Sequence, residues 1–181
     1  MSIYFLRHIK TTYNQDGIIS GCADAEVIPG QSLVLPPGMP VYFNRILSSP
    51  LKRCQATIEL LPNSCYDSIE IFDCLIERNV GILEGLSKKV ALTQYPFLFC
   101  DGKIDVDAII PNGESISEVA ERISIIAKEI LLASVEMNIL VCSHNQTLKV
   151  LFAILRKIPL TNNYWKKVNF KNGVLININK V

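Results

Sequence analysis

An excess of charge of either sign is missing from this sequence: 18 Lys and Arg face 17 Asp and Glu, a formal charge of +1. Holding a nucleic-acid backbone without sequence preference needs a clustered cationic face, so nucleic acid is not an expected partner. Long apolar runs are missing too. The stretch Ile3 to Leu6 stops at Arg7, too short for the core of an export signal. The greasiest later segment, Ile123 to Val135, is broken by Lys128 and Glu129, so no membrane span is expected. The six cysteines (Cys22, Cys54, Cys65, Cys74, Cys100, Cys142) form no Cys-x-x-Cys pair and no zinc-like spacing. That sets aside a metal site and leaves reduced, mostly buried thiols in a cytoplasmic protein. No repeat or low-complexity tract interrupts the chain. Histidine is scarcest of the reactive residues, with only His8 and His144.

What is present suits a packed core. With 181 residues and 49% hydrophobic content, the chain reads as one domain over 1–181. Ile3 to Leu6 is a buried strand ending in Arg7 and His8. Asn14 to Pro40 carries the loop signals Gly17, Pro29-Gly30, Pro36-Pro37-Gly38 and Pro40, with room for a short helix at Gln31 to Leu35. Arg45 to Ser49 is a second strand. Ser49 as N-cap and Pro50 at the first helical position then open a helix with Leu51, Cys54, Ile58 and Leu61 on one face, closed by Pro62. Ile69 to Asp73 alternates as a third strand. A helix is expected from Ser87 to Tyr95. Ser115 and Glu118 form a capping box before a helix whose apolar face is Ile116, Val119, Ala120, Ile123, Ala127, Ile130 and Leu131. Ile139 to Ser143 is a buried strand followed by a helix over Asn145 to Lys157, and Gly173 to Asn179 is a final edge strand. Strands alternating with helices imply a three-layer α/β/α fold with a mainly parallel central sheet.

In open parallel sheets, ligands sit beyond the carboxyl ends of the strands. His8 and His144 each follow a strand there. Arg53 lies in the first turn after the second strand, and Glu77 follows the third. Two imidazoles, two guanidiniums with Arg7, and a carboxyl would therefore meet at one rim. Arginine grips phosphate through a planar fork of donors, and neutral imidazole is a competent nucleophile. The chemistry suggested is phosphoryl transfer, which rests on positioning and on neutralising spread charge.

The motifs resemble those of the histidine phosphatase superfamily, which includes phosphoglycerate-mutase-like enzymes and small phosphatases. The resemblance is carried by Leu6-Arg7-His8 with Thr11 and Asn14, Ser20-Gly21, Ser48-Ser49-Pro50-Leu51-Lys52-Arg53, and Leu75-x-Glu77. It continues through Gly81, Glu84-Gly85, Pro111-x-Gly113-Glu114-Ser115 with Arg122, Val141-x-Ser143-His144 and Asn172-Gly173. It implies that His8 carries a transient phosphohistidine. It implies that Arg7, Arg53 and His144 bind the phosphoryl oxygens with Asn14, and that Glu77 is the general acid, then base. No cofactor or metal is implied, and the partner is a small phosphate ester. Between Glu84 and Pro111 the chain is shorter than in mutases of this type, which favours water as acceptor and a phosphomonoesterase, α-ribazole-phosphatase-like activity being one form. The alternatives are a phosphoglycerate-type mutase and a catalytically weak module that binds a phosphorylated ligand. Two positions depart from the family pattern. Ile9 replaces the usual glycine after the nucleophile and is expected to alter the loop or present an apolar wall to substrate. Asn145 replaces a small residue after His144.

Overall fold

The computed structural model describes residues 2–37 and 42–180; the Gly38 and Pro40 end of the expected loop lies outside them. A five-stranded sheet runs in the order β3 (Tyr66–Ile71), β2 (Phe43–Ser48), β6 (Ile139–Ser143), β1 (Ile3–Arg7), β7 (Leu175–Asn177). Its pairs are parallel except for the antiparallel edge strand β7. Helices cover both faces because the central strands are apolar on both. Successive side chains alternate between two cores. Phe5, Leu47 and Val141 pack toward α4 (Ile116–Ala133) and α5 (Asn145–Arg156), whereas Leu6, Ile46 and Leu140 pack with Cys54 and Ile58 of α2 (Lys52–Ile58). No helix of the described residues is long and apolar enough to cross a membrane.

The capping box at Ser115 and Glu118 forms as expected, and α4 buries Ile116, Val119, Ile123, Ile126, Ala127 and Ile130. Leu131 is exposed instead, and Ile126, which the expected face did not include, is buried on the opposite flank of the helix's inward stripe. Strand β3 also turns the other way from its hydrophobic alternation, with Ile69 and Ile71 at 40% and 48% exposure. On the other face of the strand Glu70 pairs with Arg45: Nε donates to Oε1 at 2.6 Å and Nη2 to Oε2 at 2.7 Å. Arg45 also reaches Glu129 of α4 at 2.6 Å, so one guanidinium ties an edge strand to a helix.

Two further local expectations change, and three elements appear that were not expected. Helix α2 starts at Lys52 with Leu51 as N-cap, and Ser49 is not its cap; the helix stops at Ile58 before Pro62. No helix forms at Gln31 to Leu35, where Val34 instead bridges Val174 beside the sheet. A short helix, α1 (Thr12–Asp16), does form, because Thr11 and Asn14 cap each other's backbone N–H groups. Beyond α3 (Lys88–Gln94), a small hairpin of β4 (Phe99–Cys100) and β5 (Lys103–Ile104), and later α6 (Asn162–Lys167), were not legible. Hairpin and α6 stand beside the strand ends, and both contribute to the cavity there.

Candidate active site

The carboxyl ends of β1, β2 and β6 converge on a cavity of about 370 Å³ lined by Arg7, His8, Asn14, Arg53 and Glu77 among others. Five of the six residues expected at the site thus share one wall. The sixth, His144, lies behind it. Its ring is fully buried, 5.2 Å from the His8 ring and inclined at 53°.

His8 is held on both sides. Its backbone N–H donates to Ser143 O at 3.0 Å, and its Nδ1 lies 2.6 Å from Ile9 O. A carbonyl only accepts, so Nδ1 carries the proton and Nε2 keeps its lone pair. Burial, then the Arg7 and Arg53 charges, push the imidazole down to about 3. His8 is therefore neutral at any ordinary pH. Arg7 donates from Nη1 to Phe170 O at 3.0 Å, while its buried Nε has no partner among the described residues. Burial lowers its pKa from the ordinary value, and Glu77 counteracts this.

Arg53 is fixed by three carbonyl or imidazole acceptors: Nε donates to His144 Nδ1 at 3.1 Å, Nη1 to Ala23 O at 2.6 Å and Nη2 to Gly21 O at 2.7 Å. Asp24 stands 3.6 Å away. Since Arg53 Nε always donates, His144 Nδ1 must accept, which puts the His144 proton on Nε2, 2.8 Å from Ser49 Oγ. Burial and then the Arg53 charge hold that ring well below its ordinary pKa. Both ring nitrogens are thus engaged by protein, and the ring is off the cavity wall. The resemblance implies a phosphate contact for this ring; among the described residues its partners include Arg53 Nε and Ser49 Oγ. Ser49, read from sequence as a helix cap, is thus one of them.

Glu77 reaches the cavity from the turn after β3. Oε1 accepts from Arg78 N at 3.0 Å, Thr147 N at 3.1 Å and Thr147 Oγ1 at 3.2 Å. Among the described residues Oε2 accepts only from Gln146 N, at 3.3 Å. One oxygen is anchored and the other is left available. Arg122 steadies the turn by donating to Cys74 O and Glu77 O, at 2.5 and 3.3 Å. The neighbouring acids are committed elsewhere. Glu84 accepts from Cys22 N and Glu114 from Asn79 N, each at 2.8 Å, and neither lines the cavity. Asn14 Oδ1 accepts from Thr11 N at 3.2 Å and from Asn172 Nδ2 at 3.3 Å.

The two departures resolve differently. Ile9 is buried, donates its N–H to Thr57 Oγ1 at 2.9 Å and does not line the cavity, so it offers substrate no apolar wall. Asn145 does line the cavity, and its Oδ1 accepts from Phe170 N at 3.0 Å. Sequence reasoning missed Lys103, Lys149, Phe99 and Trp165, which also line the cavity. A signal existed for Lys149. It interrupts the run Leu148, Val150, Leu151, Phe152 on a helix buried almost all round, where a lone cation needs a polar cavity to face.

Fold and site together define an α/β protein with a cationic, imidazole-bearing cavity at its strand ends. A match to the model of the histidine phosphatase superfamily (branch 1) over residues 38–179 shows that the chain belongs to that family. Arg7 and His8 precede the matched segment. The probable phosphoglycerate mutase GpmB of Erwinia tasmaniensis is 27% identical over 165 residues, covering 88% of this chain and 76% of that protein. The α-ribazole phosphatase of Shigella flexneri superposes with a TM-score of 0.75 at 24% identity, over 97% of this chain and 88% of that one. The phosphoserine phosphatase of Entamoeba histolytica, solved with 3-phosphoglyceric acid, gives a TM-score of 0.73 at 21% identity over 96% and 88%. At these identities the two structures establish a shared fold.

Proposed function

We propose that this chain is a phosphomonoesterase that works through a phosphohistidine at His8 on a small phosphorylated metabolite. The observation that carries the reading is the His8 ring itself. Its Nδ1 proton is spent on Ile9 O, Nε2 has no protein partner among the described residues, and His8 lines a cavity with Arg7, Arg53 and Glu77. Arg7 and Arg53 take the non-bridging phosphoryl oxygens, with Asn14 at the edge. His144 and Ser49 keep the Arg53 fork in its plane. The Nε2 lone pair forms an N–P bond as the ester P–O bond breaks, and the departing oxygen takes a proton from Glu77 Oε2. Water then attacks phosphorus, Glu77 accepts its proton, and the N–P bond breaks to release inorganic phosphate. No step calls on a metal.

Turnover of aryl and alkyl phosphates by the purified protein tests this. Hydrolysis that persists in a chelator and is lost in His8→Ala supports it, and full activity in His8→Ala overturns it. A mutase is the second reading, favoured by the likeness to GpmB. Partition of the phosphoryl group separates the two: the phosphomonoesterase passes it to water, whereas a mutase returns it to a sugar acid faster than water takes it.

A further inference from the structure

The cavity is larger than one phosphoryl group needs, and its charge is not spent by one. At about 370 Å³ it lies in the range of sites for whole small molecules. A phosphomonoester carries up to about two negative charges, and it would meet Arg7 and Arg53 with Asp24 beside Arg53 and Glu77 on the same cavity. Beyond them the wall holds Lys103 and Lys149, with Lys88 at its rim. Among the described residues none of these lysines is in an ion pair. Lys149 Nζ donates to Trp165 O at 2.8 Å and Lys103 Nζ to Lys166 O at 2.6 Å, so both ammoniums rest on carbonyls of α6 and keep their net charge uncompensated.

Lys149 is the more telling of the two. Only 3% exposed, it also sits 4.7 Å from the centre of the Trp165 ring. Burial, then Lys103, lower it to about 8, against the pull of Glu77. An ammonium buried beside a second cation costs free energy unless something anionic offsets it. The same cavity is lined by the apolar side chains of Phe99, Ile104 and Trp165, the last in contact with Lys149.

We propose that this part of the cavity is a leaving-group subsite for an apolar organic body ending in a second anion, which Lys149 and Lys103 receive while Phe99, Ile104 and Trp165 pack on the body. The proposal rests on the phosphomonoesterase reading for the orientation of the ester, but it is tested by binding. Benzylphosphonate and 4-carboxybenzylphosphonate are inert probes that differ only in the far anion. A third, p-xylylene bisphosphonate, replaces the carboxylate with a phosphonate. Calorimetry at pH 7 on the intact chain is expected to show at least one of the two probes with an anionic tail binding about tenfold tighter than benzylphosphonate, the worth of one charge-assisted hydrogen bond. Whichever tail is preferred identifies the anion. The preference is expected to shrink several-fold in Lys149→Met and in Lys103→Met, the latter a half-buried position that tolerates the change. Equal affinity for all three probes, or a preference that survives in both variants, overturns the subsite. Turnover of benzyl phosphate, measured alongside, reports on the phosphatase reading separately.

Discussion

Replacing His8 by Asn probes the feature on which its chemistry depends, a ring that stays neutral while wedged between two guanidiniums. The Asn amide nitrogen can take the place of Nδ1 and keep the bond to Ile9 O. In the unfolded chain a histidine binds a proton below about 6.5, whereas native His8 refuses one until about 3. The unfolded state therefore binds more protons across that window, and stability falls as pH drops from about 6.5 to 3. At about 1.4 kcal/mol per pH unit, His8 alone costs the folded protein about 3 kcal/mol between pH 7 and pH 4. His8→Asn has no such proton to refuse. Its stability relative to wild type is expected to improve by about 3 kcal/mol over the same interval. With a urea slope of about 2 kcal/mol per molar, that is a relative midpoint shift of about 1.5 M. Urea melts of both proteins at pH 7 and pH 4 read it directly. Parallel losses in the two proteins would mean that His8 titrates normally in the fold, and the neutral nucleophile would have to be abandoned.

Glu77→Gln keeps an oxygen for the three donors at Oε1 but has no proton to give at the other position. Alkyl phosphates are expected to lose about 10²- to 10⁴-fold in kcat, and 4-nitrophenyl phosphate far less, because only a poor leaving group needs the acid. Equal loss on both moves the proton donor elsewhere. Gly81→Ala tests the packed turn where Gly81 meets Pro111 and Gly113. Gly81 has φ +47°, and an added Cβ would lie 2.1 Å from Pro111 O. The change is expected to cost about 3 kcal/mol or more, lowering Tm by about 10 °C in a thermal melt, and an unshifted melt would show that this turn is not held as described.

Much of the architecture was legible because the central strands and α4 are buried by simple periodicity. Ile3 to Leu6 and Ile139 to Cys142 are apolar throughout, and nothing competes with that signal. The failures come where a side chain's partner is distant in sequence. Ile69 and Ile71 alternate correctly but face solvent, and Glu70 on the other face pairs with Arg45, which in turn meets Glu129, neither of them local to β3. Ser49 looks like a helix cap because Ser-Pro usually is one; its hydroxyl oxygen does accept from Leu51 N at 3.3 Å, but it also meets a ring 95 residues away at 2.8 Å. Arg53 and Glu77 could be named because parallel topology sends every strand exit to one rim. The Lys149 and Lys103 part could not, because its hairpin and α6 are too short to register as periodic segments.

A labelled phosphate ester, mixed with the protein and quenched within milliseconds, puts phosphoryl transfer to His8 to its most direct trial. The label should remain on the protein in alkali, be lost in acid as a phosphoramidate is, and map to the peptide containing residue 8. Label that survives acid, or that maps to any other residue, would contradict it.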